Sequence, residues 1–160
     1  MTYSLPSIID AGRMLDVVVE ANATERKPHR SIVEMPFRFS FRGRAVQTRI
    51  KGYDIHEMLG TKMRAMFQRK RGRDLFDLYW ALTHSESAIS PREIIESFQH
   101  YLASEGTKAK RAQFIEILDG HLADHGFCSD MESLLRSDVD YDPQTAGKYI
   151  KANLLSLLPK

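Results

Sequence analysis

Hydrophobic and polar positions alternate through the first third of the chain. Leu15, Val17, Val19 and Ala21 interleave with Asp16, Val18, Glu20 and Asn22. That period of two predicts a strand with one apolar and one mixed face. Phe37, Phe39 and Phe41 alternate with Arg38, Ser40 and Arg42, predicting a second strand with an aromatic face. Gly43 supplies a turn, and Ala45 to Tyr53 reads as the returning strand, with Val46, Thr48 and Ile50 on one side. Thr24 to Ser31 is polar, contains Pro28, and reads as a loop.

From Asp54 onward the apolar period lengthens to that of a helix, and the starts are well marked. Asp54 stands three residues before Glu57, Ser90-Pro91-Arg92-Glu93 forms a capping box with proline in the first helical position, Ser129 precedes Glu132, and Asp142 precedes Pro143. These signals predict helices near 54–70, 73–84, 91–104, 108–125, 129–137 and 143–157. Strands first and helices after define an α+β fold: a small antiparallel or mixed sheet at the N-terminus packed against a helical C-terminal half. Residues 1–53 are the β-rich part and 54–160 the helical part of one structural unit.

Composition changes this picture little. Hydrophobic residues make up 42% and charged residues 28% of the 160, with a net charge of +2, so bulk charge does not mark a polyanion binder. Its distribution says more. Lys62 to Arg73 holds six basic residues and no acidic one, a local patch able to hold phosphates or an RNA backbone, while Asp130 to Asp142 is acidic. The one cysteine, Cys128, rules out an intramolecular disulfide and fits a reducing compartment. Asp10, Arg13 and Asp16 leave no apolar signal-peptide core, and no apolar run approaches the ~20 residues needed to cross a bilayer. The expectation is a cytoplasmic protein with no membrane partner.

Candidate chemistry gathers at the junction of the first two predicted helices. Ile55, Met58, Leu59, Met63, Met66 and Phe67 form an apolar stripe, and Lys62 falls within it, one turn from both Met58 and Met66. A lysine there must snorkel to the edge or meet an anion, because desolvating an unpaired ammonium is costly. In an enzyme that anion could be a nucleotide phosphate. Asp74 and Asp77, three apart, project from one side of the next helix, either as helix-start carboxylates favoured by the dipole or as groups orienting Lys62, Arg69 or Arg73. Between the two helices lies the turn Arg69-Lys70-Arg71-Gly72-Arg73, where glycine allows close approach of backbone to a ligand.

The run Glu57…Lys62…Ala65…Gln68-Arg69…Arg73-Asp74-Leu75-Phe76-Asp77-Leu78 resembles the lysine-helix and Arg-Asp-Leu-Tyr-Asp-Leu signature of the AbiEii/AbiGii toxin family. These are nucleotidyltransferase-type toxins of type IV toxin–antitoxin, or abortive-infection, systems. The strand Leu15 to Glu20, a polar loop and a hairpin resemble the segment bearing that family's third acidic residue. The resemblance implies transfer of a nucleotide from an NTP to an RNA (such as tRNA) or protein acceptor, with Mg²⁺ as cofactor and a cognate antitoxin as a further partner. Carried over by position, Glu20 is the third carboxylate and metal ligand, Lys62 the triphosphate contact and Asp74 the later acidic group. Arg69, Arg73 and Asp77 complete the nucleotide- and phosphate-binding set.

The family's Gly-Ser…Asp-x-Asp metal motif belongs upstream of Glu20, and the 19 residues before it contain neither element. Asp138-Val139-Asp140, with Asp142 following, comes late and reads as an acidic loop leading into a capped helix. Residues 1–53 thus correspond to a β-rich remnant of a nucleotidyltransferase core, and the chain to the C-terminal portion of such a toxin. Three possibilities stay open: an N-terminal half encoded separately, a truncated and inactive copy, or a non-catalytic RNA-binding or protein-interaction module on the same scaffold. Among weaker signals, His121 and His125 share a helix face with Cys128 nearby, a set short of a zinc site. Phe76, Tyr79, Trp80, Phe98, Tyr101 and Leu102 read as core, and Leu154, Leu155, Leu157 and Leu158 as an apolar end docking onto the helical half or a partner.

Overall fold

A computed structural model of the chain describes residues 1–7, 12–19, 28–86 and 88–160. Strands β1 (Thr2–Pro6) and β2 (Met14–Val18) pair antiparallel, Tyr3 opposite Val17 and Leu5 opposite Leu15. Strands β3 (Val33–Phe41) and β4 (Arg44–Gly52) form a longer antiparallel ribbon, Phe37 opposite Thr48 and Phe39 opposite Val46. The turn joining β3 to β4 is Arg42-Gly43, both at positive φ (48° and 74°), the backbone that tight two-residue hairpins require and glycine tolerates best. These are two separate two-stranded sheets. The expected α+β class holds, whereas the single sheet of the sequence reading is split in two.

Helices follow: α1 (Ile55–Gln68), α2 (Gly72–His84), α3 (Pro91–Ser104), α4 (Arg111–Leu122), the short α5 (His125–Ser129) and α6 (Pro143–Asn153), then a 3₁₀ turn at Leu155–Leu157. The capping residues act as the sequence suggests. Asp54 accepts from the His56 amide, Ser90 from Glu93, and Asp142 from Gln144 and Thr145. The helix expected at 129–137 is absent. Asp124 instead caps α5, four residues earlier, by accepting from the Phe127 amide at 2.9 Å.

The core is helical. Met63 and Met66 of α1, Leu75 and Leu78 of α2, Ile94 and Phe98 of α3, Phe114 and Leu118 of α4, and Ile150 of α6 are all fully buried. Leu154, Leu155 and Leu158 dock onto this core as expected, while Leu157 stays exposed. Gly60 lets α1 and α3 approach closely: a Cβ there would stand 2.6 Å from the Ser97 Cβ and 2.9 Å from the Phe98 nitrogen. The strands contribute little to this core, since both faces of each ribbon are exposed.

The base of the β3–β4 ribbon is fastened to α1 and α3 by a polar clasp. Glu57, 1% exposed, accepts from the amides of His29 (2.7 Å) and Arg30 (3.0 Å) and from the Tyr101 hydroxyl. Arg30 pairs with Asp54 at 3.0 Å and with Glu93, and the His29 and His100 rings stack 4.0 Å apart. A buried carboxylate with three donors is satisfied; one with none is costly.

Two stability outcomes follow. Gly60→Ala forces α1 and α3 apart against backbone and is expected to cost about 1–3 kcal/mol in urea unfolding. Asp142 is held below the usual carboxylate pKa by its hydrogen bonds to Thr145. A lowered folded-state pKa gives stability that is present above the unfolded value near 4 and lost as pH falls through the folded one. Asp142→Ala should therefore cost ~0.5–2 kcal/mol at neutral pH, with the difference from the parent chain shrinking below about pH 4.

Candidate functional site: the corner between α1 and α2

The last two turns of α1 and the first two of α2 bring the predicted residues together. Lys62 lies at the margin of the stripe, its side chain 37% exposed, because Ile55 and Met58 face solvent and the buried line runs through Leu59, Met63 and Met66. Its ammonium meets anions, and they are the chain's own: Nζ lies 2.7 Å from Asp77 Oδ2 and 3.5 Å from Asp74 Oδ1. Asp74 is fully buried. The Arg69 guanidinium grips it with two bonds, Nε to Oδ2 at 2.8 Å and Nη2 to Oδ1 at 2.9 Å. The paired carboxylate pushes the Arg69 pKa up. Such a two-pronged pair is stronger and more directional than a single contact.

Asp74 is thus no helix cap: α2 begins without a side-chain cap bond, and the carboxylate turns back toward Arg69. Asp77 is 41% exposed and bonds to Lys62 at the open edge of the corner. Arg73 donates its backbone amide to Asp130 at 3.1 Å. Lys70 reaches Asp124 at 2.6 Å, and this contact holds the Asp124 pKa below its usual value. Gly72 has a local reason. A Cβ there would fall 2.2 Å from the Phe127 carbonyl oxygen, so the close approach it permits is to α5.

Glu20 lies outside the described residues, and its distance from Lys62 with it. The sequence placed Glu57 in the family motif and as the capping partner of Asp54, but its carboxylate accepts instead from His29, Arg30 and Tyr101 in the clasp. Its position on the α3-facing side of α1, one turn before Gly60, was the available signal. Phe76, Trp80 and His84 stack along α2, with the Trp80 and His84 rings 3.7 Å apart and nearly parallel. Burial pushes the Cys128 thiol up, and its Sγ donates to the Leu122 carbonyl, so it is held away from the reactive thiolate form. Burial and nearby Lys70 push His121 down, disfavouring its charged form.

A divalent cation needs carboxylates that are not already neutralised. Asp74 and Asp77 are each paired with a cationic side chain, and among the described residues no group of three or more His, Cys, Asp or Glu is placed to hold a metal. These residues do not fit a metal centre by themselves. Nor, among them, is any helix long and apolar enough to cross a membrane.

The α+β fold thus joins a lysine, an arginine and two aspartates at one helix corner. The family model described as nucleotidyl transferase AbiEii toxin, type IV TA system, matches residues 1–149, and the chain belongs to that family. Comparison with curated proteins and with solved structures gives no match.

The two partners of the buried pair should behave unequally. Arg69→Ala leaves a buried carboxylate with only a long contact to Lys62 and is expected to cost roughly 2–4 kcal/mol. Asp74→Ala leaves Arg69, 55% exposed and able to be hydrated, and Lys62 still on Asp77. Its cost should be smaller, about 1 kcal/mol, in parallel denaturant titrations.

Proposed function

We propose that this chain acts on the phosphate side of a nucleotidyl-transfer reaction, binding the triphosphate of an NTP at the α1–α2 corner. The observation that carries this reading is the Lys62–Asp77 pair. The ammonium is positioned by the corner, and its closest anion is an exposed side chain that a phosphate oxygen can replace. Arg69 is committed to Asp74, so in this reading it holds the corner's shape while Lys62, with Arg73 at the start of α2, contacts phosphate. Asp77 then swings from Lys62 as the nucleotide enters.

In nucleotidyl transfer an acceptor hydroxyl attacks the α-phosphorus and pyrophosphate leaves. Cations near the leaving group stabilise its charge. A divalent cation supplies the same stabilisation on a larger scale when bound. Glu20 is the one metal ligand carried over by position. This reading assigns nucleotide binding to the α1–α2 corner and leaves transfer to an RNA or protein acceptor to carboxylates outside that corner. A cytoplasmic setting and a cognate antitoxin belong to the same reading.

Calorimetric titration of the chain with NTP and Mg²⁺, beside Lys62→Ala, tests it. The parent chain is expected to bind and the variant to lose at least about ten-fold in affinity, as removal of a charged contact implies. Equal binding by both chains, or none by either, would refute the reading.

A further inference from the structure

The basic stretch that stands out in the sequence is largely neutralised in the fold. Lys62 is held by Asp77, Arg64 by Glu105, Arg69 by Asp74 and Lys70 by Asp124. The β3–β4 ribbon is the reverse case. Between Val33 and Gly52 it carries Arg38, Arg42, Arg44, Arg49 and Lys51 against one carboxylate, Glu34, which pairs with Arg49 at 3.0 Å. Among the described residues no carboxylate pairs with Arg38, Arg44 or Lys51.

Aromatic rings line the same ribbon. Phe37, Phe39 and Phe41 project from one face of β3 and are 43%, 46% and 61% exposed. The first two rings are 5.5 Å apart, and the Arg42 guanidinium lies 5.3 Å from the centre of the third. A recess of about 310 Å³, lined by Pro36, Arg38, Gln47, Thr48 and Arg49, opens mainly on the ribbon's other face. The clasp at Glu57 pins the ribbon's base, so the rings and cations are held out from the helical body.

We infer that the β3–β4 ribbon is a docking surface for single-stranded nucleic acid, separate from the α1–α2 corner. Flat rings spaced along a strand, with cations at one end to meet a phosphate backbone, suit a single strand with unstacked bases. The charge selects a polyanion, and the exposed rings select unpaired bases over a closed duplex. Guanidinium groups suit phosphate because their planar donors match its oxygens. The ribbon takes the strand on its aromatic face, with bases on Phe37, Phe39 and Phe41 and phosphates on Arg44, which stands opposite Phe41, and on Arg42 beside the Phe41 ring. This assignment does not depend on whether the corner binds nucleotide, because its readout is a different ligand.

Fluorescence anisotropy of a short labelled polyuridylate, titrated with the whole chain over a range of salt, tests it. Two phosphate contacts at about −0.7 each give a log–log salt slope near −1.4, roughly a seven-fold loss of affinity between about 50 and 200 mM salt. Arg44→Gln should lower that slope to about −0.7, and Arg38→Gln, on the opposite face, should leave it unchanged. Phe39→Ala should weaken binding at least about five-fold with the slope unchanged. Lys62→Ala should keep the oligonucleotide affinity even where NTP binding is lost, and a duplex of the same length should bind more weakly. Circular dichroism of each variant, unchanged in the helical signal, separates lost contact from lost fold. No binding at low salt, binding indifferent to Arg44→Gln and Phe39→Ala, or equal binding of the duplex would overturn the inference. So would sedimentation as a dimer that Phe39→Ala dissociates and polyuridylate does not, which would give the face to a second copy of the chain.

Discussion

Asp74 is a carboxylate in the first turn of a helix, fully removed from water, and the geometry around it follows from its need for a partner. Arg69 supplies that partner from just outside α1, which fixes where the first helix ends and how the chain reverses into the second. With that reversal set, Met63 and Met66 meet Leu75 and Leu78 in the core, and Gly72 lies against the Phe127 carbonyl. Lys70 then reaches Asp124, which in turn starts α5. The apolar core gives the helical body most of its stability, but the buried pair sets the angle at which the helices deliver their apolar faces.

The helices with local start signals were legible because their caps are bonds between near neighbours. Asp54, Ser90 and Asp142 each bond an amide two or three residues ahead, which a linear sequence displays directly. The region after α4 was not legible. His121 and His125 read as one helix face, but the chain breaks between them because Asp124 caps α5 and pairs with Lys70, 54 residues away in sequence. Strand β1 was missed for a similar reason. Five residues ending in proline carry almost no pattern of their own, and their strand character comes from pairing with β2. At the site, the sequence brought Lys62, Arg69, Asp74 and Asp77 to one corner but could not say that Arg69 and Asp74 would consume each other's charge. That depends on burial, which the helical period indicated for Lys62 and left undecided for Asp74.

Alternation along β3 and β4 was read as a strand with an aromatic face and a returning strand, in a sheet packed against the helical half. The pattern is real, and the aromatic side chains do share a face. Alternation reports that two faces differ in chemistry; what covers the apolar one is a separate matter. A two-stranded ribbon is marginal in water without further packing. Here its base is held by local bonds at Arg30, Asp54 and Glu57, and its length is left to its own cross-strand pairs. The charges on its surface also discourage edge-to-edge strand addition, which an exposed ribbon otherwise invites.

Helix α1 connects the two surfaces. It receives β4 at its N-terminus, clasps the entry to β3 through Glu57, and carries Lys62 five residues on, about 7.5 Å along the axis at the α-helical rise. The helix that anchors the ribbon's base is thus the same element that sets the Lys62 ammonium against Asp77. The buried Glu57 is the natural junction, since its two backbone donors belong to the ribbon's entry and its hydroxyl donor, Tyr101, belongs to the packed body. Glu57 is thus the carboxylate through which the ribbon and the α1–α2 corner share one frame.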